Sequence, residues 1–196
     1  MSVFVDAQKT MHETHSIEAS GAVDADAHIL EPPDLWENYI EPKYRDRALR
    51  IRIDENGLEE LEIDGKRSTM SRRGFPSTLG AMGYPDLAAL QKDPERTYLR
   101  EAPYGTMHAG ERIEVLDAEN IDIAILYTTV GLLWEAELKD PELCQAYTRA
   151  YNRWICEFAA DQPRLVPTAH VSLSDPAAAA EEMRRAVESG AKGAYV

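Results

Sequence analysis

Ile121-Asp122-Ile123-Ala124-Ile125-Leu126-Tyr127 is an apolar run of strand length, and the helix and strand signals downstream of it decide the fold. Asp140 to Asp161 reads as a long helix. Asp140 is placed to cap it, Pro141 takes the first turn, and Leu143, Tyr147, Tyr151, Trp154 and Phe158 recur at helical spacing as one apolar stripe. Leu165 to Leu173 is a second strand. Asp175 caps a helix over Pro176 to Ser189, Gly190 ends it, and Gly193-Ala194-Tyr195-Val196 opens a further strand. Strands alternating with helices at this spacing build right-handed βαβ units and a parallel sheet. Doubly wound sheets and barrels share that pattern. No Gly-rich phosphate loop follows the first strand of the chain, so Rossmann and P-loop readings are weak.

Upstream, Ala109 to Asn120 is a helix with Ile113, Val115 and Leu116 turned inward. The earliest strand signal is Ala22 to Leu30, where small or apolar residues alternate with acidic ones. Glu31-Pro32-Pro33-Asp34 ends it, and Asp34 is placed to cap a short helix through Leu35, Trp36 and Tyr39. Between that strand and Ala109 the sequence reads as an insertion, about 42–108. Arg50 to Ile53 and Leu58 to Ile63 flank Asn56-Gly57, a hairpin signal. Residues 66–84 read as loop, Asp86 to Gln91 as a short helix, and 92–110 as irregular. Residues 1–20 are polar and aperiodic, a disordered leader in which His12 and His15 are part of the tail rather than a metal site.

The expected class is α/β with a parallel sheet, and its expected form, on the family resemblance carried by the motifs quoted below, is the N-terminal part, about four strands, of a TIM-type (β/α)8 barrel with an insertion after strand 1. A closed barrel needs about 250 residues; this chain has 196, so an incomplete barrel is expected over 21–196. The net charge is -14, which argues against nucleic acid and anionic membrane as partners, since both select a basic face. No run reaches the roughly 18 to 20 apolar residues of a membrane span, and the first twenty residues lack the apolar core of a signal peptide. Cys144 and Cys156 lie twelve positions apart in one expected helix, too far along it for a disulfide. Reduced, packed cysteines suit a cytoplasmic protein.

The densest group of chemically capable residues is Asp24, Asp26, His28 and Glu31. On a strand, i and i+2 share a face, so Asp26 and His28 can present a carboxylate and an imidazole to one point. Such oxygen-plus-nitrogen ligation suits Zn²⁺, Mn²⁺ or Fe²⁺. The same two residues could equally make ordinary hydrogen bonds at a strand end. Glu31 is a candidate outer partner that orients His28, or a helix cap; Asp24 is read as a strand anchor. Tyr127, Thr128 and Thr129, at the end of a strand, and His170, within the next, are candidate substrate contacts, with a packed histidine as the other reading of His170.

The run Val23-Asp24-Ala25-Asp26-Ala27-His28-Ile29-Leu30-Glu31-Pro32-Pro33-Asp34-Leu35-Trp36 resembles the opening motif of the amidohydrolase-related family, in the branch that includes aminocarboxymuconate-semialdehyde decarboxylase and resorcylate-type decarboxylases. Leu116 to Tyr127 with Gly131-Leu132, Ala150 to Trp154 with Glu157-Phe158, Pro163-Arg164-Leu165 and Asp175-Pro176 extend the resemblance in the family's order. It implies one divalent metal in a barrel mouth, zinc foremost, with Asp26 and His28 as the two ligands from strand 1. The family's other two, a His and an Asp from later strands, would lie beyond Val196. It further implies a metal-dependent hydrolase or non-oxidative decarboxylase acting on a small, carboxylated organic substrate; a homo-oligomer is expected separately, from the open sheet edge that an incomplete barrel leaves. The alternative is a non-catalytic half-barrel that works only by association with another chain.

Overall fold

The computed structural model describes residue 18 and residues 20–81, 86, 88, 92–93 and 95–196. The expected leader with His12 and His15 lies almost entirely outside the described residues, as does most of the expected helix from Asp86 to Gln91. Four strands, β1 (Val23–His28), β5 (Ile123–Tyr127), β6 (Leu165–His170) and β7 (Gly193–Tyr195), form one parallel sheet in that order. The order never doubles back, unlike that of a doubly wound sheet. Helices α4 (Ala109–Glu119), α5 (Pro141–Ala159) and α6 (Pro176–Glu188) make the crossovers.

The crossovers begin and end where side-chain chemistry dictates. The Asp140 carboxylate accepts the amide protons of Glu142 and Leu143, and Asp175 accepts those of Ala177 and Ala178. Asn120 closes α4 in the left-handed conformation, φ 58°. Along α5, Leu143, Tyr147, Tyr151 and Trp154 are buried and Phe158 is half-buried. That face packs on β6 and on the short helix α1 (Leu35–Tyr39). Ala27, Ala124, Leu126 and Ala169 line the buried side of the sheet. On the other side, the register partners Val23 and Ile123 are 50% and 37% exposed. Strand β6 stops at His170, three residues short of the expected Leu173. Cys144 and Cys156 are free and buried, and burial pushes both thiols up.

The insertion holds a 3-10 turn (Pro42–Arg47), an antiparallel sheet of β2 (Arg50–Ile53), β3 (Glu59–Ile63) and β4 (Lys66–Arg67), and the short helices α2 (Phe75–Gly80) and α3 (Tyr98–Glu101). The expected hairpin is present but its loop differs. Only Gly57 of the Asn56-Gly57 pair has positive φ, at 79°. Asp54 builds the loop instead: its carboxylate accepts from the amides of Asn56 and Leu58, and its own amide donates to the Leu58 carbonyl at 2.8 Å. The tight two-residue turn is the next one. Asp64 and Gly65, at φ 53° and 68°, join β3 to β4, an Asp-Gly pair suited to a mirror-image turn. Hence residues 66–67, expected as loop, are strand.

Two arginines fasten the insertion. Arg47 reaches Asp64 at 2.5 Å and Asp140, the cap of α5, at 2.9 Å. Buried Arg50 donates to Glu37 and to the carbonyls of Arg45 and Asp46. At the other end, Asp34 makes no cap bond to α1; its carboxylate accepts from Asn38 Nδ2 at 2.8 Å instead. Glu59 of β3 accepts from the Tyr98 amide at 2.7 Å. Burial drives its carboxyl from 4.5 up to about 7, against the opposing pull of that amide and of Arg96.

This shift gives a pH dependence with a defined sign. The folded chain holds the Glu59 proton more tightly than the unfolded chain, so the native state binds more protons between pH 4.5 and about 7. The Glu59 contribution to stability is complete below that window and is lost as pH rises through it. Urea melts across the window should show the fall in wild type and its loss in Glu59→Gln, which stays neutral throughout. An unchanged slope in the variant would rule Glu59 out as its source.

Candidate functional site

The site begins with an irregularity in β1. Val23 and Asp24 pair with Ile123 and Ala124, whereas Ala27 and His28 pair with Leu126 and Tyr127. Three steps along β1 therefore match two along β5, which is a β-bulge. The bulge divides the acidic residues that strict alternation would align. Asp24 falls on the helix side, where its carboxylate lies 3.8 Å from the Arg112 guanidinium of α4 and accepts the Asp26 amide at 3.1 Å. Burial holds Arg112 below its usual range, with Asp24 pulling the other way. Asp26 stays with His28: Oδ1 and Nε2 are 3.6 Å apart.

The two side chains differ in setting. That of Asp26 is 86% exposed and that of His28 33%. The other ring nitrogen of His28, Nδ1, lies 3.1 Å from Thr129 Oγ1. The half-buried Tyr127, register partner of His28, places its ring centroid 6.4 Å from the imidazole and 6.0 Å from the Tyr195 ring.

Glu31 does not touch His28. It is 1% exposed, and its carboxylate accepts from the Thr128 hydroxyl and from the amides of Thr129, Val130 and Gly131, the last two at 2.9 Å. It caps the 3-10 turn Val130–Leu132 that follows β5 rather than the helix α1, and it makes no direct contact with the His28 ring. Gly131 is required there, since a Cβ would run into the Thr128 hydroxyl and come within 3.1 Å of Glu31 Oε1. Glu31 reaches His28 only through Thr129, whose hydroxyl also donates to the Ile29 carbonyl at 2.7 Å.

Thr128 and His170 are enclosed rather than presented to solvent. Thr128 is fully buried with its hydroxyl committed to Glu31. His170, 2% exposed, stacks on Tyr195 at 4.7 Å between centroids and lies beside Trp134 and Tyr151. Its Nε2 is 3.2 Å from Glu135, and the His170 ring holds that carboxyl below the usual range. Asn152 of α5 clamps the His170 backbone from both sides and donates to the buried Glu182 of α6. Thr129, Gly131 and Glu135 were not singled out by residue pattern for these parts. The only sequence signal for Thr129 is its place just past a strand C-terminus.

Among the described residues, no three His, Cys, Asp or Glu side chains converge as a metal cluster. Asp26 and His28 are a pair. No helix of the described residues is long and apolar enough to cross a membrane.

No family model matches the chain, and no curated protein matches it. Its structure is similar to that of an amidohydrolase from Mycobacterium avium subsp. paratuberculosis K-10, at 25% identity and TM-score 0.69, covering 91% of this chain and 50% of that one. Two further similar structures are a 2,6-dihydroxybenzoate decarboxylase from Rhizobium and a 2,6-dihydroxybenzoate decarboxylase complexed with 2,6-dihydroxybenzoate. They show 18% and 19% identity, each with TM-score 0.48, and 90% of this chain covers 38% and 39% of theirs. The chain thus spans half or less of each of these.

The Glu31 arrangement yields a stability test. Glu31→Ala would orphan several buried donors at once, at a cost of about 3 kcal/mol or more. Gly131→Ala should cost about 1–3 kcal/mol by overpacking against the same groups. Denaturant melts of both variants check this. A Glu31→Ala chain as stable as wild type would show that water can replace the carboxylate.

Proposed function

We propose that this chain carries two protein ligands of a single divalent metal, Asp26 and His28, in a hydrolase or non-oxidative decarboxylase of amidohydrolase type built on a (β/α) barrel. The observation that carries the reading is the approach of the Asp26 carboxylate to His28 Nε2, 3.6 Å apart at the C-terminal end of the first parallel strand. Active sites of βα barrels gather at that end of the strands. The donor set fits the ion: one carboxylate oxygen and one imidazole nitrogen suit zinc foremost, and manganese or iron. Similarity to the mycobacterial amidohydrolase supports the hydrolase branch, and the run from Val23 to Trp36 supports the wider family.

When bound, a divalent ion supplies Lewis-acid chemistry, polarising a substrate oxygen or acidifying a water. The chain's own residues do the holding. His28 and Asp26 give the donors. Tyr127, on the same rung as His28, offers a ring to a small, carboxylated organic substrate. Glu31 and Thr128 fix the loop beyond it.

In a protein that carries the complete barrel, Asp26→Ala combined with His28→Ala should remove Zn²⁺ binding in calorimetric titration and abolish turnover across a panel of esters, amides, lactones and aryl carboxylates. Asp26 is exposed and His28 partly buried, so the fold should be retained at a cost of about 1–3 kcal/mol, mostly from the histidine. Turnover equal to wild type at saturating metal would refute the assignment.

A further inference from the structure

We infer that Thr129 is a positioning residue that sets the tautomer of His28, and that Glu31 in turn fixes Thr129. The inference deepens the metal-site proposal and rests on it for its functional meaning, though not for its geometry. A threonine hydroxyl has one proton to donate and lone pairs to accept with. The Thr129 proton is committed to the Ile29 carbonyl, which can only accept, at 2.7 Å. Toward His28 Nδ1, 3.1 Å away, the hydroxyl therefore presents a lone pair. The Nδ1 atom must carry the proton, and neutral His28 is left with a bare Nε2.

That nitrogen is the one facing Asp26 at 3.6 Å. Two acceptors are thus turned toward each other, an arrangement that repels unless a cation lies between them. The opposite tautomer would let Nε2–H donate to Asp26 and would spoil the pair as a ligand set. Thr129 forbids it, because an unprotonated Nδ1 would face a lone pair. Outer partners commonly fix ligand histidines in this way, by accepting from the ring nitrogen that does not bind metal.

Glu31 makes the arrangement rigid. Its carboxylate takes the amides of Thr129, Val130 and Gly131 and the Thr128 hydroxyl. Thr129 therefore cannot swing away without breaking buried, charge-assisted hydrogen bonds. Tyr98, fully buried, donates to the Glu31 carbonyl at 2.9 Å and pins the other side of that residue. Glu31 thus orients His28 at one remove, through the backbone of the loop that carries Thr129.

Two readouts test the inference, the first without metal. Long-range proton–nitrogen correlation spectra of the metal-free protein, at alkaline pH with the ring verified neutral from its nitrogen shifts, report the His28 tautomer. Wild type and Thr129→Ser should show the Nδ1–H form, and Thr129→Val should shift toward Nε2–H. An Nε2–H form in wild type, or no change in Thr129→Val, overturns the inference. The wild-type spectrum alone can decide this if Thr129→Val fails to fold. In the second readout, Zn²⁺ titration, Thr129→Val should bind about 10- to 100-fold more weakly and Thr129→Ser close to wild type. Equal Zn²⁺ affinity of Thr129→Val and wild type, where Asp26→Ala abolishes binding, also overturns it. Zn²⁺ binding that survives loss of both Asp26 and His28 would instead sink the metal assignment and leave the tautomer result to stand or fall separately.

Discussion

A carboxylate that is almost wholly withdrawn from water has to find donors inside the protein, and Glu31 finds all of its donors in the loop after β5. An unpaired charge in that position would cost several kcal/mol, so the loops after β1 and β5 cannot move apart. The same residue's carbonyl takes the Tyr98 hydroxyl, and the Tyr98 amide is held by Glu59 of the insertion. A continuous hydrogen-bonded path therefore runs from β3 through Tyr98, Glu31 and Thr129 to His28. Most of these groups are buried, where such bonds are stronger than in water. The insertion, which in sequence looks detached from the sheet, is built into the support of the site.

Much of the architecture was legible because its causes are local. Helices α5 and α6 carry their own caps, α5 also its own 3.6-residue stripe, and both appear within two residues of expectation. The parallel pairing follows from the alternation of strands and helices. The Asp64-Gly65 turn was equally local, but it sat beside a stretch rich in Gly, Ser and Arg that reads as loop, and β4 went unseen. Other features depend on partners far along the chain. Asp24 to His28 looks like a strict two-residue alternation, and only pairing with β5, about a hundred residues away, reveals the bulge that removes Asp24 from the group. Glu31 precedes a helix and looks like its cap or a companion of His28; the donors it uses lie at 128–131. Asp34 has the right place to cap α1, yet Asn38 takes its carboxylate. His170 ends in an aromatic cage whose walls come from the loop after β5, from α5 and from β7.

The bulge and the Thr129 contact give the two candidate donors unequal freedom. His28 is partly buried and held through Nδ1, so little of its rotamer entropy remains to be lost when Nε2 meets an ion. Asp26 stands mostly in water, and fixing its side chain costs conformational entropy at the moment of binding. Attraction between an exposed carboxylate and a nearby cation is also weakened by solvent, to about 1 kcal/mol for unit charges at 4 Å in bulk water. A rigid nitrogen donor beside an adaptable oxygen donor can define where an ion sits while contributing modestly to how tightly it is held. Tight retention of zinc ordinarily takes three or four protein ligands. Under the proposed metal reading, the pair on β1 would act as a locating element. Affinity would come from whatever further donors close around the ion, and the hydrogen-bonded path through Glu31 keeps the nitrogen of that pair turned toward them.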